Sequence, residues 1–346
     1  MSQKLAIIGF GTVGQGFVEI LVRDSERLKA EYGVDFKVVA ISDVAKGTLA
    51  HADGLNLTAV LESVETSGNF MEYPNTQGLV KGWDSVETIL NSGADTVIEA
   101  TFTNIIDGQP GIEHCRKALE AGKNVVTTNK GPIALALDEL EGIAAARGVR
   151  ILYEGTVMSG TPVLRLAATG LAGNQIQGIR GILNGTSNYI LTRMEEGLTF
   201  TAALAEAQRW GYAEADPTND VDGFDAQYKL LILARALFGS SLRREDILCT
   251  GIRAITSDDI ARAREDGKRY KLVASLERDP SGLIGRVMPE AVALSDPLAG
   301  VAGAINALTY RCDLSGDVTI VGAGAGRLET GYALLIDCLN LYRGQI

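Results

Sequence analysis

Leu5-Ala6-Ile7-Ile8-Gly9-Phe10-Gly11-Thr12-Val13-Gly14 is the stretch on which the reading of the fold turns. Four apolar residues in succession predict a strand buried on both faces, as in the interior of a parallel sheet. A helical pattern follows to about Glu31, with Phe17, Ile20, Leu21 and Leu28 on its core side. GxGxxG by itself is a weak signal in a chain with 40 glycines. Between a buried strand and a helix it predicts a dinucleotide site. Gly9 permits the tight turn, Gly11 lets backbone approach a pyrophosphate, and Gly14 lets helix and strand pack closely. Free N–H groups and the helix dipole then attract the phosphates. A glycine turn with no ligand is the alternative.

Working outward, Phe36 to Ile41 reads as a second buried strand that ends at Ser42-Asp43. A carboxylate there would accept hydrogen bonds from an adenosine ribose and repel a 2′-phosphate, which favours NAD over NADP. Lys46 blunts that argument, and a solvated turn acid is the other reading of Asp43. Thr96 to Ile98, Asn124 to Thr127 and Arg150 to Tyr153 read as further strands, with helices ending at Ala121 and Arg147. Residues 45–82 resist assignment. The alternation predicts an α/β protein with a Rossmann-type doubly wound parallel sheet over residues 1–150. Thr127-Thr128-Asn129-Lys130 closes one strand at the end where such sheets bind ligands. Lys130 faces a ligand there, or is a surface turn lysine.

Beyond Tyr153 the alternation weakens. An α+β domain is expected over 151–321, and a segment over 322–346 that returns to the nucleotide domain. Ile179 to Leu183 reads as a strand, Asn184-Gly185-Thr186-Ser187-Asn188 as a loop opening a helix, and Thr199 or Thr201 as the cap of a helix to Trp210. The loop that follows concentrates Glu214, Asp216, Asp220 and Asp222. Taken alone it is a solvated acidic loop. The next segment, Phe224 to Phe238, reads FDAQYKLLILARALF. From Tyr228 onward it is apolar nearly all round, which predicts a buried helix. Asp225 and Lys229 share one face. A buried lysine and aspartate are costly unless paired or functional, so they form a structural ion pair or a site. Val318 to Val321 reads as a strand, the glycine run Gly322 to Gly326 allows close backbone approach, and a helix with Leu334, Leu335, Leu339 and Tyr342 ends the chain.

Composition narrows the chemistry. The 346 residues suggest about two domains. With 32 Lys and Arg against 43 Asp and Glu, the net charge of −11 argues against nucleic acid as a partner. Two histidines leave little room for zinc or histidine acid–base chemistry. The four cysteines, Cys115, Cys249, Cys312 and Cys338, form no CxxC pair and fit reduced thiols in a cytoplasm. The N-terminal apolar run is too short for a signal peptide, and no run of about 20 apolar residues predicts a membrane helix.

The order Ala207, Gly211, Tyr212, Asp216-Pro217, Asp220, Gly223, Asp225 and Lys229 resembles the signature of homoserine dehydrogenases. Gly9 to Gly14, Thr127 to Lys130, Glu154-Gly155-Thr156-Val157 and Asn184 to Asn188 agree in order, so the resemblance spans the chain. It implies reversible reduction of L-aspartate 4-semialdehyde to L-homoserine by NADPH or NADH, on the route to threonine, methionine and isoleucine. It implies that Lys229 protonates the nascent alkoxide, Asp225 orients it, Glu214 holds the substrate amine, Asp220 supports the site, and Lys130 lies near nicotinamide and substrate. Phe10, Thr12, Val13, Thr101 and Gly326 match positions that touch the cofactor. Glu154, Val157, Ser159 and Thr161 match a monovalent-cation site, for sodium; Ser159 and Thr161 depart from the commoner residues there. The resemblance further implies a homodimer, with 151–321 as the substrate-binding and dimerisation domain. The chain looks like the short form, without the added regulatory domain.

Two other readings stay in view. An aldehyde dehydrogenase working through a thioester needs an activated cysteine, and none of the four lies in a glycine-flanked loop beside a base. A non-catalytic dinucleotide-sensing module would keep Gly9 to Gly14 but has no use for Glu214, Asp225 and Lys229.

Overall fold

The computed structural model describes residues 2–240, 242–280 and 282–344, so the outermost residues of the expected domains, 1, 345 and 346, lie outside it. The chain forms two compact units. The first runs through Gly160 and resumes at Gly326; the second is Thr161–Ala325.

The first unit holds strands β1 (Ser2–Ile8), β2 (Asp35–Asp43), β3 (Gly47–Ala50), β4 (Thr96–Glu99), β5 (Asn124–Thr127) and β6 (Ile151–Leu152). Their order is β3-β2-β1-β4-β5-β6. β1 lies parallel to β2 and β4, and β5 is parallel to β4 and β6. This is the doubly wound sheet that the alternation predicts. β3 is the exception: it folds back antiparallel on β2. Residues 45–82, which the sequence leaves unassigned, hold this short strand and a helix, Leu57–Ser67. The apolar run Leu5–Ile8 is buried on both faces. The helix after the glycine loop, Thr12–Tyr32, buries Phe17, Ile20, Leu21 and Leu28, as its periodicity predicts.

The C-terminal helix, Arg327–Arg343, lies against helix Thr12–Tyr32 and adds Leu334, Leu335 and Leu339 to the same core. Two glycines permit the close crossing. A Cβ at Gly16 would sit 2.1 Å from the Arg327 carbonyl oxygen, and one at Gly331 would sit 2.6 Å from the Phe17 nitrogen. Arg327 also pairs with Glu19 through its guanidinium at 2.6 Å.

The second unit holds β7 (Ile176–Ile182), β8 (Ile247–Cys249), β9 (Lys268–Asp279), β10 (Gly282–Ala293), β11 (Ile305–Cys312) and β12 (Gly316–Ala323). They form one sheet in the order β12-β11-β7-β9-β10-β8. All neighbours are antiparallel except β8 and β10. The long strands β9 to β11 are absent from the sequence reading. β9 reads KRYKLVASLERD; its buried stretch opens on Lys271 and is interrupted by Ser275, which leaves only Leu272-Val273-Ala274 as an apolar run. Helix Phe224–Phe238 occupies the range its apolar surface predicts and packs on β9 and β10. No helix among the described residues is long and apolar enough to cross a membrane.

Candidate active site

In the first unit the glycine loop connects three strand ends. The Gly9 N–H donates to the Ser42 carbonyl at 2.8 Å. Its φ of +91° is left-handed, and a Cβ there would lie 2.5 Å from the Ala100 carbonyl oxygen. Only glycine fits between the ends of β1 and β4. At Gly14 a Cβ would lie 2.6 Å from the Gly9 carbonyl oxygen, which explains the tight rise of the helix. Gly11 differs. No protein atom lies within 4 Å of where its Cβ would be. It precedes a 21-residue helix with no side-chain cap and no acidic residue in the first turn. Packing does not require glycine at this position, whereas a ligand approaching the backbone does. The uncompensated helix terminus suits the pyrophosphate of a dinucleotide.

Around this loop, Thr12 is exposed and Val13 half-buried. The Phe10 ring is fully buried and packs on Phe70, with ring centres 5.6 Å apart. The Phe10 side chain therefore faces the core, and its carbonyl accepts from the Gln15 side-chain amide at 3.0 Å. Asp43 accepts from the Phe10 N–H at 2.7 Å, from Ala45 N–H at 2.9 Å and from Lys46 N–H at 3.0 Å. It ties the glycine loop to the β2–β3 turn. The Lys46 ammonium stands 3.8 Å from the same carboxylate. A carboxylate has about four acceptor sites, so one remains for a ribose hydroxyl.

Thr101 follows β4. Its backbone N–H donates to the Glu99 carboxylate at 3.3 Å, and its hydroxyl also donates to that group. Lys130 is half-buried and opens helix Lys130–Arg147, whose first turn Asn129 caps by accepting from Gly131 N–H at 3.1 Å. Gly326, with φ +139°, precedes the C-terminal helix.

Glu154, Val157 and Ser159 lie buried in the first unit. The Glu154 N–H donates to Asp337 at 3.0 Å, and the Ser159 hydroxyl bonds that of Thr330 at 2.7 Å. Met158 and Ser159 are consecutive non-glycine residues with φ 58° and 54°. Such left-handed residues are costly and concentrate at functional loops. Thr161 opens the second unit, where its hydroxyl donates to the Ala323 carbonyl at 3.0 Å. The described residues contain no cluster of three His, Cys, Asp or Glu able to hold a metal ion. A monovalent ion held by carbonyl oxygens does not need one.

The second unit assembles a lysine–carboxylate site. Lys229 is buried; its ammonium donates to the Leu183 carbonyl at 2.6 Å and pairs with Asp225 at 2.8 Å. The i,i+4 spacing places both on one helical face. Asn184, just after β7, joins them. Its amide N–H2 donates to Asp220 at 2.7 Å and to Asp225 at 3.0 Å, and its oxygen caps the next helix by accepting from Ser187 N–H at 2.8 Å. Thr186 on that helix donates to the Tyr212 carbonyl at 2.6 Å, which fastens the acidic loop. Burial pushes the Asp220 carboxyl above the usual carboxylate value; the charges of Asp225 and Glu214 add to this, while Asn184 and Lys229 oppose it. Glu214 stands exposed on the same loop.

The structure thus brings Lys229, Asp225 and Asp220 together and keeps Glu214 within electrostatic reach of Asp220. Two polar residues were missed in the sequence. Asn184 stood inside a motif that was visible, but its partners lie 36 and 41 residues away. Glu99 ends an apolar strand, and the one signal was an acid where burial was expected.

A Rossmann sheet with an open glycine turn, in one chain with a buried lysine–carboxylate site, defines an NAD(P)-dependent oxidoreductase. Comparison with known families narrows the class. Residues 9–154 match the NAD binding domain of homoserine dehydrogenase, and residues 162–339 match the homoserine dehydrogenase domain. The chain belongs to the homoserine dehydrogenase family. It is 44% identical to the NAD(+)-dependent homoserine dehydrogenase of Pseudomonas canavaninivorans, over 98% of this chain and 96% of that one. It is 39% identical to the homoserine dehydrogenase of Methanocaldococcus jannaschii, over 98% of each. Among solved structures, a hyperthermophilic archaeal homoserine dehydrogenase in complex with NADPH superposes with a TM-score of 0.85 at 29% identity, over 100% of this chain and 99% of that one. The family's reaction is the NAD(P)-dependent reduction of aspartate 4-semialdehyde to homoserine in amino-acid biosynthesis.

Proposed function

We propose that the enzyme reduces L-aspartate 4-semialdehyde reversibly with Lys229 as the general acid and NAD as the preferred cofactor. The carrying observation is the Lys229 ammonium, buried and held at 2.6 Å and 2.8 Å by a carbonyl and a carboxylate. An ammonium has three N–H donors. Two are used in orientation, and the third serves the substrate oxygen. The cofactor, when bound, supplies the hydride to the aldehyde carbon. Negative charge then develops on oxygen, and Lys229 stabilises it and delivers the proton. Asp225 sets the direction of the ammonium. Asp220 supports the site by holding the same Asn184 amide that bonds Asp225. Exposed Glu214 receives the substrate amine. Lys130 and Thr101 serve the nicotinamide and substrate end, the backbone of Gly9 to Gly14 with Thr12 and Val13 takes the pyrophosphate, Gly326 borders the cofactor, and Asp43 takes the ribose.

The remaining acceptor capacity of Asp43 supports NAD, because a 2′-phosphate would meet a carboxylate. The strained loop Glu154–Ser159, with Thr161, supports a sodium site built on carbonyl oxygens. β12, one edge of the second sheet, supports a homodimer by edge pairing. The reduced cysteines support a cytoplasmic enzyme.

The test is the absorbance of reduced nicotinamide when purified protein is given homoserine with NAD or with NADP. Faster reduction of NAD is expected. Reduction of neither would overturn the reaction, and equal rates would overturn the cofactor preference. Asp43→Ser is expected to narrow the NAD/NADP ratio.

A further inference from the structure

Glu99 is a charged residue with no exposed surface. It ends β4, in register with Ile8 at the end of β1 and Thr127 at the end of β5. Burying a carboxylate is strongly unfavourable unless donors replace its water. Its polar partners come from two successive loops. Thr101, after β4, donates its N–H at 3.3 Å and its hydroxyl to one carboxylate oxygen. The Thr127 hydroxyl, at the end of β5, donates to the Glu99 main-chain carbonyl at 2.9 Å and lies 3.2 Å from the other carboxylate oxygen, so it ties the second loop to both parts of Glu99. The loops are then joined to each other. Asn129 N–H donates to the Thr127 hydroxyl at 3.0 Å, and its amide reaches the Thr101 hydroxyl at 3.4 Å and the Phe102 carbonyl at 3.2 Å. The ring Glu99–Thr101–Asn129–Thr127 closes on itself directly before Lys130. Behind it, His114 Nδ1 approaches the same carboxylate to 3.5 Å without a hydrogen bond, while Nε2 meets the Ser85 hydroxyl at 2.8 Å.

We propose that Glu99 is a positioning residue for the nicotinamide end of the bound dinucleotide, acting by locking the Thr101 and Lys130 loops in one arrangement. This rests on the reading of Thr101 and Lys130 given above. The phosphate and adenosine end depends on separate groups, the glycine loop and Asp43. The two ends therefore respond differently to loss of the ring.

The test compares two ligands, NADH and ADP-ribose, which lacks the nicotinamide. In Glu99→Leu, ADP-ribose affinity is expected to stay within about twofold, while NADH weakens about tenfold, the scale of one lost charge-assisted hydrogen bond. Glu99→Gln keeps an acceptor for Thr101 and is expected to recover most of the NADH affinity. Thr127→Val leaves Glu99 in place, removes the hydroxyl that ties the second loop to Glu99 and to Asn129, and is expected to show the same split if Glu99→Leu does not fold. Equal weakening of both ligands, or unchanged NADH affinity in the folded variants, would overturn the proposal. The split is read on binding, so a wild-type enzyme inactive on homoserine would refute the reaction while this comparison still decides the role of Glu99.

Discussion

Lys229 and Lys271 lie in the same unit, both buried, both with the ammonium on a backbone carbonyl. Lys229 meets Leu183 and the carboxylate of Asp225. Lys271 meets Val301 at 2.7 Å and the amide oxygen of Asn188 at 3.3 Å. Asn188 in turn donates to the carbonyls of Val301, Gly303 and Ile305. One lysine therefore stands in a charged cluster beside an exposed acidic loop. The other staples a loop to a helix and is sealed from solvent. Burial pulls the Lys271 ammonium below the ordinary lysine value, with Glu195 opposing. A buried lysine is thus no sign of catalysis by itself; the neighbouring carboxylates and the route to solvent make the difference.

The sharpest way to break this contrast is to remove each ammonium in turn. Lys229→Met keeps the volume of the side chain. Its kcat is expected to fall about 10²–10⁴-fold, the usual worth of a positioned acid, with NADH affinity unchanged. Turnover near wild type in that variant would remove Lys229 from the chemistry. Lys271→Met is expected to change kcat less than about twofold, since it touches no reacting group.

The two lysines also show what was legible in the sequence. Lys229 stood out because it interrupts a stretch that is apolar nearly all round from Tyr228 onward, and the helix formed where that pattern placed it. Lys271 sits on a strand buried on both faces over several residues, where no alternation marks a charge as anomalous. The first unit was readable for a related reason. Its strands are short apolar runs punctuated by glycine and acid, a local signal. Glu99 and Asn184 were not, because their meaning lies in partners supplied by other elements. Asp43 was legible as an acid at a strand end, but its three bonds to backbone N–H groups were not.

Asn184 offers a finer cut at the catalytic side of the contrast. It holds two like charges, Asp220 and Asp225, next to one lysine. Asn184→Ala is expected to lower kcat/KM about tenfold. Asn184 stabilises the charged form of Asp220, whose carboxyl burial already pushes upward. Without it the carboxyl protonates at higher pH still, so the acid limb of the pH–rate profile moves up. An unshifted limb would show that Asp220 does not govern that limb. Glu214→Leu is a smaller step. As an exposed ion-pair partner for the substrate amine, it is expected to raise KM about two- to fivefold with kcat little changed. A fall in kcat at constant KM would place Glu214 elsewhere in the mechanism.

The smallest effect tests the structural lysine through stability. Lys271 has a folded pKa lowered by burial, so the folded state binds its proton less tightly than the unfolded chain does. The cost of holding that charge is present in full below the folded value. It is relieved as pH rises from there towards the unfolded value of about 10.4. Lys271→Met has no such proton. In Lys271→Met the Val301 carbonyl still accepts from Asn188, at 3.3 Å, whereas the Asn188 amide oxygen loses its lysine donor. That second loss is independent of pH. The difference in unfolding free energy between wild type and variant is therefore expected to move in favour of the wild type as pH rises from neutral towards the unfolded value of about 10.4, as read from denaturant midpoints. A difference that stays constant over that range would mean that Lys271 keeps its ordinary proton affinity despite its burial. The contrast with Lys229 would then rest on geometry alone.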